Sequence, residues 1–468
     1  MNILSGKNLS VLQSKILFIL ISVDLIIGQE IPPTFYENQL KKIYIDSGKD
    51  WMENSTFGPI RRKADKNKYE KLKVISRLGS ILSSQYKTFY AYAHLTYKNK
   101  FHGYLYPRIV DEPDKIIGFS GIPRDITRKG FSSGETDMSG ICFENYWMIL
   151  QFGRGRQSWG AGNGIQLAIG EESNAYDYGL LDLNFKNIRA RYFHGFLETR
   201  LPSTNRYITG RGIEWSNRKN FIVALSEIVV YSGENRAIDF SYFNPISTHL
   251  EIELNNRQNR LGTDSGNGVW QISIDKMFFG KIRLSGNYLF DEFILDDQQI
   301  RDGKSNGVAS SFKGNYTLLS TSNSMLSIHV SQINIGTNTF KHENGNNNFA
   351  HRNQPLGYPK GNDSREKEVG LNWLYKNKFI LKATIRVLDI GEKNSLNDIY
   401  SPYRSYSSSG FTSGATERTN HFFCNAQWWI KPHISIYSEL HYSNFEEKVK
   451  SFVNIGFNAY YEMSGLTK

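Results

Sequence analysis

The sequence has few cysteines and prolines, and it has no long apolar run beyond its first 28 residues. Cys142 and Cys424 are the only cysteines among 468 residues and stand far apart, which excludes a disulfide framework and a cysteine-based zinc site. No later run approaches the roughly 20 apolar residues of a membrane-spanning helix. Beyond residue 28, the chain is therefore either soluble or crosses a membrane with strands.

The first 28 residues have the three parts of a secretory signal peptide. Lys7 and Lys15 provide positive charge, residues 16–27 are mostly apolar, and the small Gly28 precedes more polar residues. We predict a signal peptide over 1–28, with cleavage after Gly28. The alternative is an uncleaved membrane anchor, but the run is short for roughly 30 Å of hydrocarbon.

Aromatic residues and positive charge are abundant. The 27 Tyr, 29 Phe and 8 Trp suit the aromatic girdles of a membrane barrel, and the 40 Gly suit turns and bulges. The formal net charge is +11 at pH 7. A basic balance favours an acidic partner, such as an acidic polysaccharide or lipopolysaccharide phosphates. Secretion argues against nucleic acid, so we expect no nucleic-acid partner.

Many segments alternate apolar and polar side chains with period two, which is typical of strands with two unlike faces. Clear runs occupy 282–290, 379–387 and 453–461, and a shorter run at 250–254 is also predicted as a strand. The longer runs have about 9–12 residues, as a tilted membrane strand needs, whereas soluble strands more often have about 5–6. The predicted fold is an all-β, transmembrane antiparallel β-barrel with roughly 16–20 strands.

The predicted connections alternate between short and long. The short ones at 276–280 and 376–378 are predicted as periplasmic turns, and long polar ones as outer loops at 111–140, 291–306, 336–365 and 389–418. Residues 29–68 are assigned to a periplasmic N-terminal segment with a short helix near Leu40, Ile43 and Trp51. The barrel is assigned to 69–463 and a C-terminal tail to 464–468.

Residues 153–167 form a glycine-rich motif without the spacing of a nucleotide-binding loop, and a hairpin at a barrel rim is the simple alternative. Its Trp159-Gly160-x-Gly162 turn resembles the signature of the Wzi-type capsule assembly family. The matching features follow in the family's order: the strand end at 153–156, strands at 166–169 and 211–215, and a turn at 243–245. The resemblance extends over about 140–300, and more weakly to the C-terminus.

This resemblance implies a Gram-negative outer-membrane barrel of about 18 strands, in contact with outer-membrane lipid. The family's role implies a lectin-like anchor for exported capsular polysaccharide, without catalysis, that can cooperate with polysaccharide export machinery. The chain departs from the family in two places. Residues 29–68 contain no recognisable helical bundle, and six residues follow Glu462, beyond Tyr460 and Tyr461, the nearest candidates for the expected terminal aromatic.

No catalytic or metal-binding motif is convincing. The Gly130-Phe-Ser132-Ser-Gly134 segment matches a hydrolase pattern literally, but it lacks the strand–turn–helix context that makes its serine a nucleophile. The ten histidines are scattered, without metal-ligand spacing. We therefore expect a protein that is not an enzyme, with no catalytic residue, metal or cofactor.

The candidate ligand-binding residues are Arg154, Arg156, Trp159, Arg189 and Arg191. Each arginine pair has period two and is expected to share one face of a strand. A charge on the lipid face near the midplane costs roughly 2–4 kcal/mol, which favours the lumen or a rim. There the guanidinium groups could bind glycan carboxylates or phosphates. The alternative is an internal salt-bridge network with Glu251, Glu253 and Glu439. Polysaccharide binding leads as the function, and a porin-like diffusion channel is the alternative.

Overall fold

The computed structural model describes most of the chain. The described residues are 35–49, 51–58, 72–116, 118–122, 131–260, 265–292, 297, 301, 307–396, 411–445 and 448–467. The predicted signal peptide lies outside them, so cleavage after Gly28 stays a prediction. The α-helices with bounds in these ranges are α1 (Phe35–Asp46), α2 (Phe240–Phe243) and α3 (His249–Leu254). In the described part of the chain, no helix has the length and apolar character needed to span a bilayer.

Eighteen strands form one closed antiparallel barrel. They are β1 (Leu72–Ser83), β2 (Lys87–Tyr97), β3 (Phe101–Val110), β4 (Ser133–Glu144), β5 (Met148–Gly155), β6 (Tyr176–Phe185), β7 (Ile188–Arg200), β8 (Thr204–Ser216), β9 (Phe221–Glu234), β10 (Asn267–Phe278), β11 (Ile282–Glu292), β12 (Gly307–Ser320), β13 (Ser324–Ile335), β16 (Ser364–Tyr375), β17 (Phe379–Ile390), β18 (Glu417–Lys431), β19 (Ile434–Phe445) and β20 (Lys448–Thr467). The small hairpin of β14 (Ala350–His351) and β15 (Gln354–Pro355) is separate. Because β1 pairs with both β2 and β20, the sheet closes, and the predicted barrel of about 18 strands is confirmed.

The two ends of the barrel differ in their connections. The start of β1 and the end of β20 lie at the same end of the barrel. Short turns such as 279–281 and 376–378 connect the strands there, and we call this end the turn end. The opposite end, called the loop end, carries all the long connections: 111–132, 156–175, 235–266, 293–306, 336–363 and 391–416. The short turns and the four long connections that were predicted are present, although β4 begins inside the predicted 111–140 loop. The long connections 156–175 and 235–266 were not predicted, and the short connections 84–86 and 201–203 also lie at the loop end, so the lengths do not strictly alternate.

Two local predictions differ from the structure. Residues 250–254 belong to helix α3 rather than a strand, because the Thr248 side chain caps the helix by accepting from the Glu251 backbone N–H at 3.3 Å. Five alternating residues are too few to distinguish period two from a short helix. Residues 464–467, assigned to a tail, continue β20 and pair with the start of β1.

The barrel wall has two unlike faces. On β11, the inward side chains of Arg283, Ser285 and Asn287 are buried, whereas the outward Tyr288 is exposed. On β17, the outward Ile385 is 62% exposed. This alternation follows the pleat of the strands, which sends successive side chains to opposite faces. An apolar belt therefore surrounds a largely polar inner wall.

Among the described residues, three segments fill most of the interior of this wall. The N-terminal segment (35–49 and 51–58) enters from the turn end, where Ile43 packs against Met325, Leu374, Ile380 and Trp429. The first inner loop (156–175) and the second inner loop (336–363) fold in from the loop end. Side chains of all three meet inward-facing strand residues in one buried apolar cluster, which includes Phe57, Trp159, Phe193 and Leu356. We call these three segments the plug.

Candidate functional site

Trp159 lies at the centre of the plug. Its ring contacts Phe57 of the N-terminal segment at 4.8 Å between centroids and Phe193 of β7 at 5.2 Å, the latter edge-to-face. The neighbouring Gly160 N–H donates to the Thr56 carbonyl at 2.8 Å. Trp159 is only 1% exposed. The residue predicted to bind ligand therefore joins two parts of the plug to the barrel wall.

The first inner loop is held by side chains of distant strands. Asn287 accepts from the Ala161 N–H at 2.7 Å and donates to the Ala161 carbonyl at 2.9 Å. Ser311 and Lys313 donate to the carbonyls of Ile165 and Asn163 at 2.7 and 2.9 Å. These bonds satisfy backbone groups that would otherwise be buried without partners. A hairpin at the barrel rim is wrong as an alternative for this motif, because residues 156–167 lie inside the lumen. The strand predicted at 166–169 is also absent.

Glycine is required where the inner loops pass close to other groups. Gly162 has φ +77°, and a Cβ there would lie 2.9 Å from the Ser285 Cβ. A Cβ at Gly357 would lie 1.8 Å from the Leu167 carbonyl oxygen. Larger residues cannot occupy these positions without moving the backbone. The glycines of the motif therefore allow close packing of backbone within the lumen.

The two inner loops are joined to each other by backbone pairing and by one histidine. Gly170 N–H donates to the Leu356 carbonyl at 2.9 Å, and Tyr358 N–H donates to the Leu167 carbonyl at 3.0 Å. His351 Nε2 lies 3.2 Å from the Ala175 carbonyl oxygen. Burial lowers the pKa of His351 to about 4, against a smaller opposing effect of Glu198. The imidazole is therefore neutral near pH 7.

Arg189 and Arg191 lie on one face of β7, as their spacing predicts, and both point inward. Arg189 binds the Asp182 carboxylate through Nε and Nη2 at 3.0 and 2.6 Å, and its Nη1 donates to Ser55 Oγ and the Gly58 carbonyl at 2.6 Å each. Arg191 donates to the Phe57 carbonyl. Both side chains are buried. Their bonds hold the N-terminal segment against the wall.

Arg154 and Arg156 do not share one face, so the prediction for this pair is wrong: Arg154 points outward beside Asp177, whereas Arg156 points inward. The buried Arg156 binds Asp137 through Nη2 at 2.7 Å, and its Nε donates to the Ser173 carbonyl at 2.7 Å. Arg154 is half-buried near the loop end, where its Nη1 lies 3.4 Å from the Asp177 carboxylate. This difference arises because β5 ends at Gly155, so the alternation of a strand does not extend to Arg156.

The salt-bridge network forms with acids other than those expected. Glu251 pairs with Arg257 at 2.5 Å, and Glu439 accepts from Asn425 and Asn454, so neither binds the four arginines. Glu253 instead accepts from the Tyr242 hydroxyl at 2.6 Å. The acids that bind Arg156 and Arg189 are Asp137 and Asp182. An internal salt-bridge network is therefore present, as the alternative interpretation predicts, but its acids are not Glu251, Glu253 and Glu439.

A second buried ion cluster was missed by the sequence reasoning. Arg283 binds Asp275 through Nη2 at 2.6 Å, and it also donates to Asp46 of α1 and, at 3.2 Å, to the Asn54 side chain. On the same inner wall, Glu214 accepts from the Thr56 N–H at 2.6 Å. Polar residues on the inner face of β8, β10 and β11 were the available signal. Their partners in the N-terminal segment were not visible in any local pattern.

Arg154 borders a cleft of about 380 Å³ near the loop end, on the outward side of the barrel wall. The cleft faces outward because Tyr207, one of its lining residues, alternates with the lumen-facing Ile208. The cleft is lined by charged and aromatic side chains and the apolar Ile238, with Asp177, Phe196 and Tyr207 among the lining residues. A guanidinium group can bind sugar hydroxyls and anionic substituents, a carboxylate can accept hydrogen bonds from sugar hydroxyls, and an aromatic ring can pack on a sugar face. Among the five predicted site residues, Arg154 is the one that lines this cleft.

Among the described residues, no catalytic partner adjoins Ser132 of the hydrolase-like motif. Ser132 Oγ donates to the Asp111 carbonyl at 2.7 Å rather than to a histidine. The described residues contain no group of three or more His, Cys, Asp or Glu positioned for a metal ion. The expectations of no metal and no cofactor remain predictions.

Comparison with solved structures identifies similar folds. An Escherichia coli structure is described as Wzi, an outer membrane protein involved in group 1 capsule assembly and a carbohydrate-binding β-barrel. It has a TM-score of 0.55 and 11% sequence identity, and the match covers 84% of each chain. The likeness is one of fold. No protein-family model and no curated protein matched the sequence.

Porin structures also match the chain. Pseudomonas aeruginosa OpdK with vanillate has a TM-score of 0.45 and 7% identity, and the match covers 84% of this chain and 98% of that one. A BenF-like porin from Pseudomonas fluorescens has a TM-score of 0.43 and 8% identity, over 84% and 97% of the two chains.

Proposed function

We propose that this protein is a non-catalytic outer-membrane barrel of the Wzi type that binds an acidic surface polysaccharide. The observation that carries the proposal is the plug, because a barrel filled from both ends suits attachment better than diffusion. Its outward apolar belt supports a membrane location, since strands can cross a bilayer only within a closed barrel. The predicted signal peptide and the turn end facing the periplasm belong to the same proposal.

The loop end is the surface at which polysaccharide would bind. Arg154 and the exposed ring of Phe196 are the groups of this outward-facing rim cleft that a sugar chain can reach. Arg156, Arg189, Arg191 and Trp159 would act indirectly, because their contacts hold the plug that supports the loop end. The net charge of +11 favours an anionic glycan. Polysaccharide export machinery would then be a partner on the periplasmic side.

A binding measurement with matched variants tests the site. Purified protein in detergent would be titrated with an acidic capsular polysaccharide at low and physiological salt. Arg154→Gln should weaken binding about tenfold at low salt, with a smaller change at physiological salt because exposed charges are screened over about 8 Å there. Lys219→Gln removes an exposed charge at the turn end and is the control. Equal affinities for both variants and the parent would contradict this site.

A porin-like channel is the second candidate function, and one region of the inner wall favours it. The side-chain nitrogen and oxygen of Asn458 on β20 are buried without a hydrogen-bond partner among the described residues. Further along the same inner wall, the side chains of Asn425 and Asn454 donate to Glu439. Such groups commonly bind water. Stepwise ion conductance by the unmodified protein in a planar bilayer would favour this alternative over a closed attachment barrel.

A further inference from the structure

A charged pair lies on the outer side of the barrel wall, on strands whose other side faces the plug. On β8 and β9, Ile208, Ala224, Ile228 and Val230 belong to the buried cluster of the lumen. The alternate residues therefore face outward. Among them, Arg211 Nε lies 3.2 Å from the Glu227 carboxylate, and both residues are buried, at 7% and 1% exposure. An outward residue can be buried only where something covers the wall.

The cover is the connection between β9 and β10, which folds back over the outside of the barrel. Tyr242 of α2 stacks on the outward Tyr231 with ring centroids 4.5 Å apart, and Ile252 of α3 joins the same buried cluster. His249 Nδ1 lies 2.7 Å from the Glu227 carboxylate, and Arg211 Nη1 donates to the Asn244 carbonyl at 3.2 Å. We call residues 240–254 the outer ledge.

The covered pair is next to the apolar belt. Ile213 and Leu225 are two positions from Arg211 and Glu227 toward the turn end on the same strands, and both are exposed outward. Ile272 on β10 is exposed on the same side. An arginine exposed to lipid near the midplane would cost roughly 2–4 kcal/mol, and the cost falls toward the interfaces. The outer ledge provides polar partners for Arg211 and Glu227 and separates both residues from the apolar surroundings of the belt.

The opposite face of the outer ledge is apolar and open. Phe240, Ile246 and Leu254 are 84%, 86% and 80% exposed, and Phe243 and Leu250 are about half exposed. Charged residues lie at its border, where Arg257 pairs with Glu251 at 2.5 Å. Short helices with one apolar face and a charged border are typical of segments that lie in a membrane interface.

We propose that the outer ledge inserts into the acyl chains of the outer leaflet and anchors the loop end of the barrel in lipid. The occupant is lipid rather than a second copy of the chain, because the exposed apolar face of the ledge is continuous with the exposed apolar belt formed by Ile213, Leu225 and Ile272. Insertion keeps the cover closed over Arg211 and Glu227. This inference rests on the proposed membrane location of the barrel.

Spin labels in lipid vesicles test the insertion. In a background with Cys142→Ser and Cys424→Ser, nitroxide labels are attached through Phe240→Cys, Ile246→Cys and Leu254→Cys. Ile385→Cys on the belt is the lipid reference, and Asn353→Cys, exposed in the second inner loop, is the water reference. Collision with oxygen relative to a water-soluble nickel chelate reports depth. We expect ratios within twofold of the Ile385→Cys ratio and at least fivefold above the Asn353→Cys ratio.

Three contrary outcomes have different meanings. Ledge labels that match Asn353→Cys while Ile385→Cys remains lipid-exposed overturn the outer-ledge proposal alone. Dipolar broadening between ledge labels on different copies overturns it in favour of a protein interface. A water-exposed Ile385→Cys overturns both the ledge and the membrane barrel of the proposed function.

A second variant measures retention of the cover. Phe240→Asp combined with Ile246→Asp should increase tryptic cleavage after Arg257 in vesicles at least fivefold, because charged side chains favour water over acyl chains. Ile122→Asp changes an exposed apolar residue of another loop-end connection and is the control. Cleavage that is no faster in the double variant than in this control would overturn the proposal.

Discussion

Replacing Trp159 with alanine should open the plug while leaving the barrel closed. Truncation of a large buried aromatic costs about 3–5 kcal/mol, through lost burial and the cavity left behind. The indole contacts both Phe57 and Phe193, so the loss falls on the junction between the N-terminal segment, the first inner loop and the wall. Since about 1.4 kcal/mol corresponds to a tenfold change in an equilibrium constant, the ratio of closed to open plug should fall by a factor of roughly 10² to 10³ or more. The strand pairing of the barrel is unaffected.

Conductance and proteolysis together measure this opening. In a planar bilayer, Trp159→Ala should conduct more often than the parent protein, and trypsin added at the turn end should cleave faster after the exposed Lys49. Trp215→Ala removes an equally large ring from the exposed outer face of β8 and is the matched control. If Trp159→Ala conducts and is cleaved no more than Trp215→Ala, the reasoning about the plug junction is refuted.

Three further predictions concern charge, pH and the membrane face. Arg189→Gln should lower the free energy of unfolding in urea by about 3–5 kcal/mol, because Asp182 loses its main buried partner. Replacing both residues by apolar residues should recover most of this loss, and an unchanged unfolding midpoint for Arg189→Gln would contradict the ion pair. Acidification from pH 6.5 toward 4 should destabilise the second inner loop by up to about 3 kcal/mol, because His351 is protonated in the unfolded loop while its folded pKa is about 4. Hydrogen exchange of this loop should therefore be faster at pH 5 than at pH 7.5 after correction for intrinsic rates, and equal protection at the two pH values would contradict this. Ile385→Arg should block insertion into lipid vesicles while the inward Lys382→Gln inserts normally, and equal insertion would count against the assigned faces.

The barrel could be predicted from local sequence because its strands carry their own signal. On β17, the outward Ile385 and the inward Lys382 differ in polarity because they face different surroundings, and a period of two in the sequence indicates these two faces directly. The positions of the short turns and of the long polar connections predicted which end of the barrel each strand begins at. The 250–254 run failed because a capped single helical turn and a short strand both fit five alternating residues.

The plug could not be predicted because its contacts are distant in sequence. Asn287 and Ser311 bind the first inner loop more than 100 residues away, and a glycine-rich loop has no periodicity to indicate which way it folds. The ion pairs were partly accessible. The short turn between β6 and β7 places Asp182 directly opposite Arg191, so cross-strand pairing could have indicated this acid in place of the distant glutamates.

Deletion of the gene, followed by comparison of cell-associated and shed polysaccharide, tests the central claim of surface attachment most directly. The proposal predicts a decrease in the cell-associated fraction, a matching increase in the shed fraction, and unchanged total synthesis. Expression of the unmodified protein should restore retention, whereas expression of the Arg154→Gln variant should restore less of it. Unchanged retention in the deletion strain would contradict the attachment function.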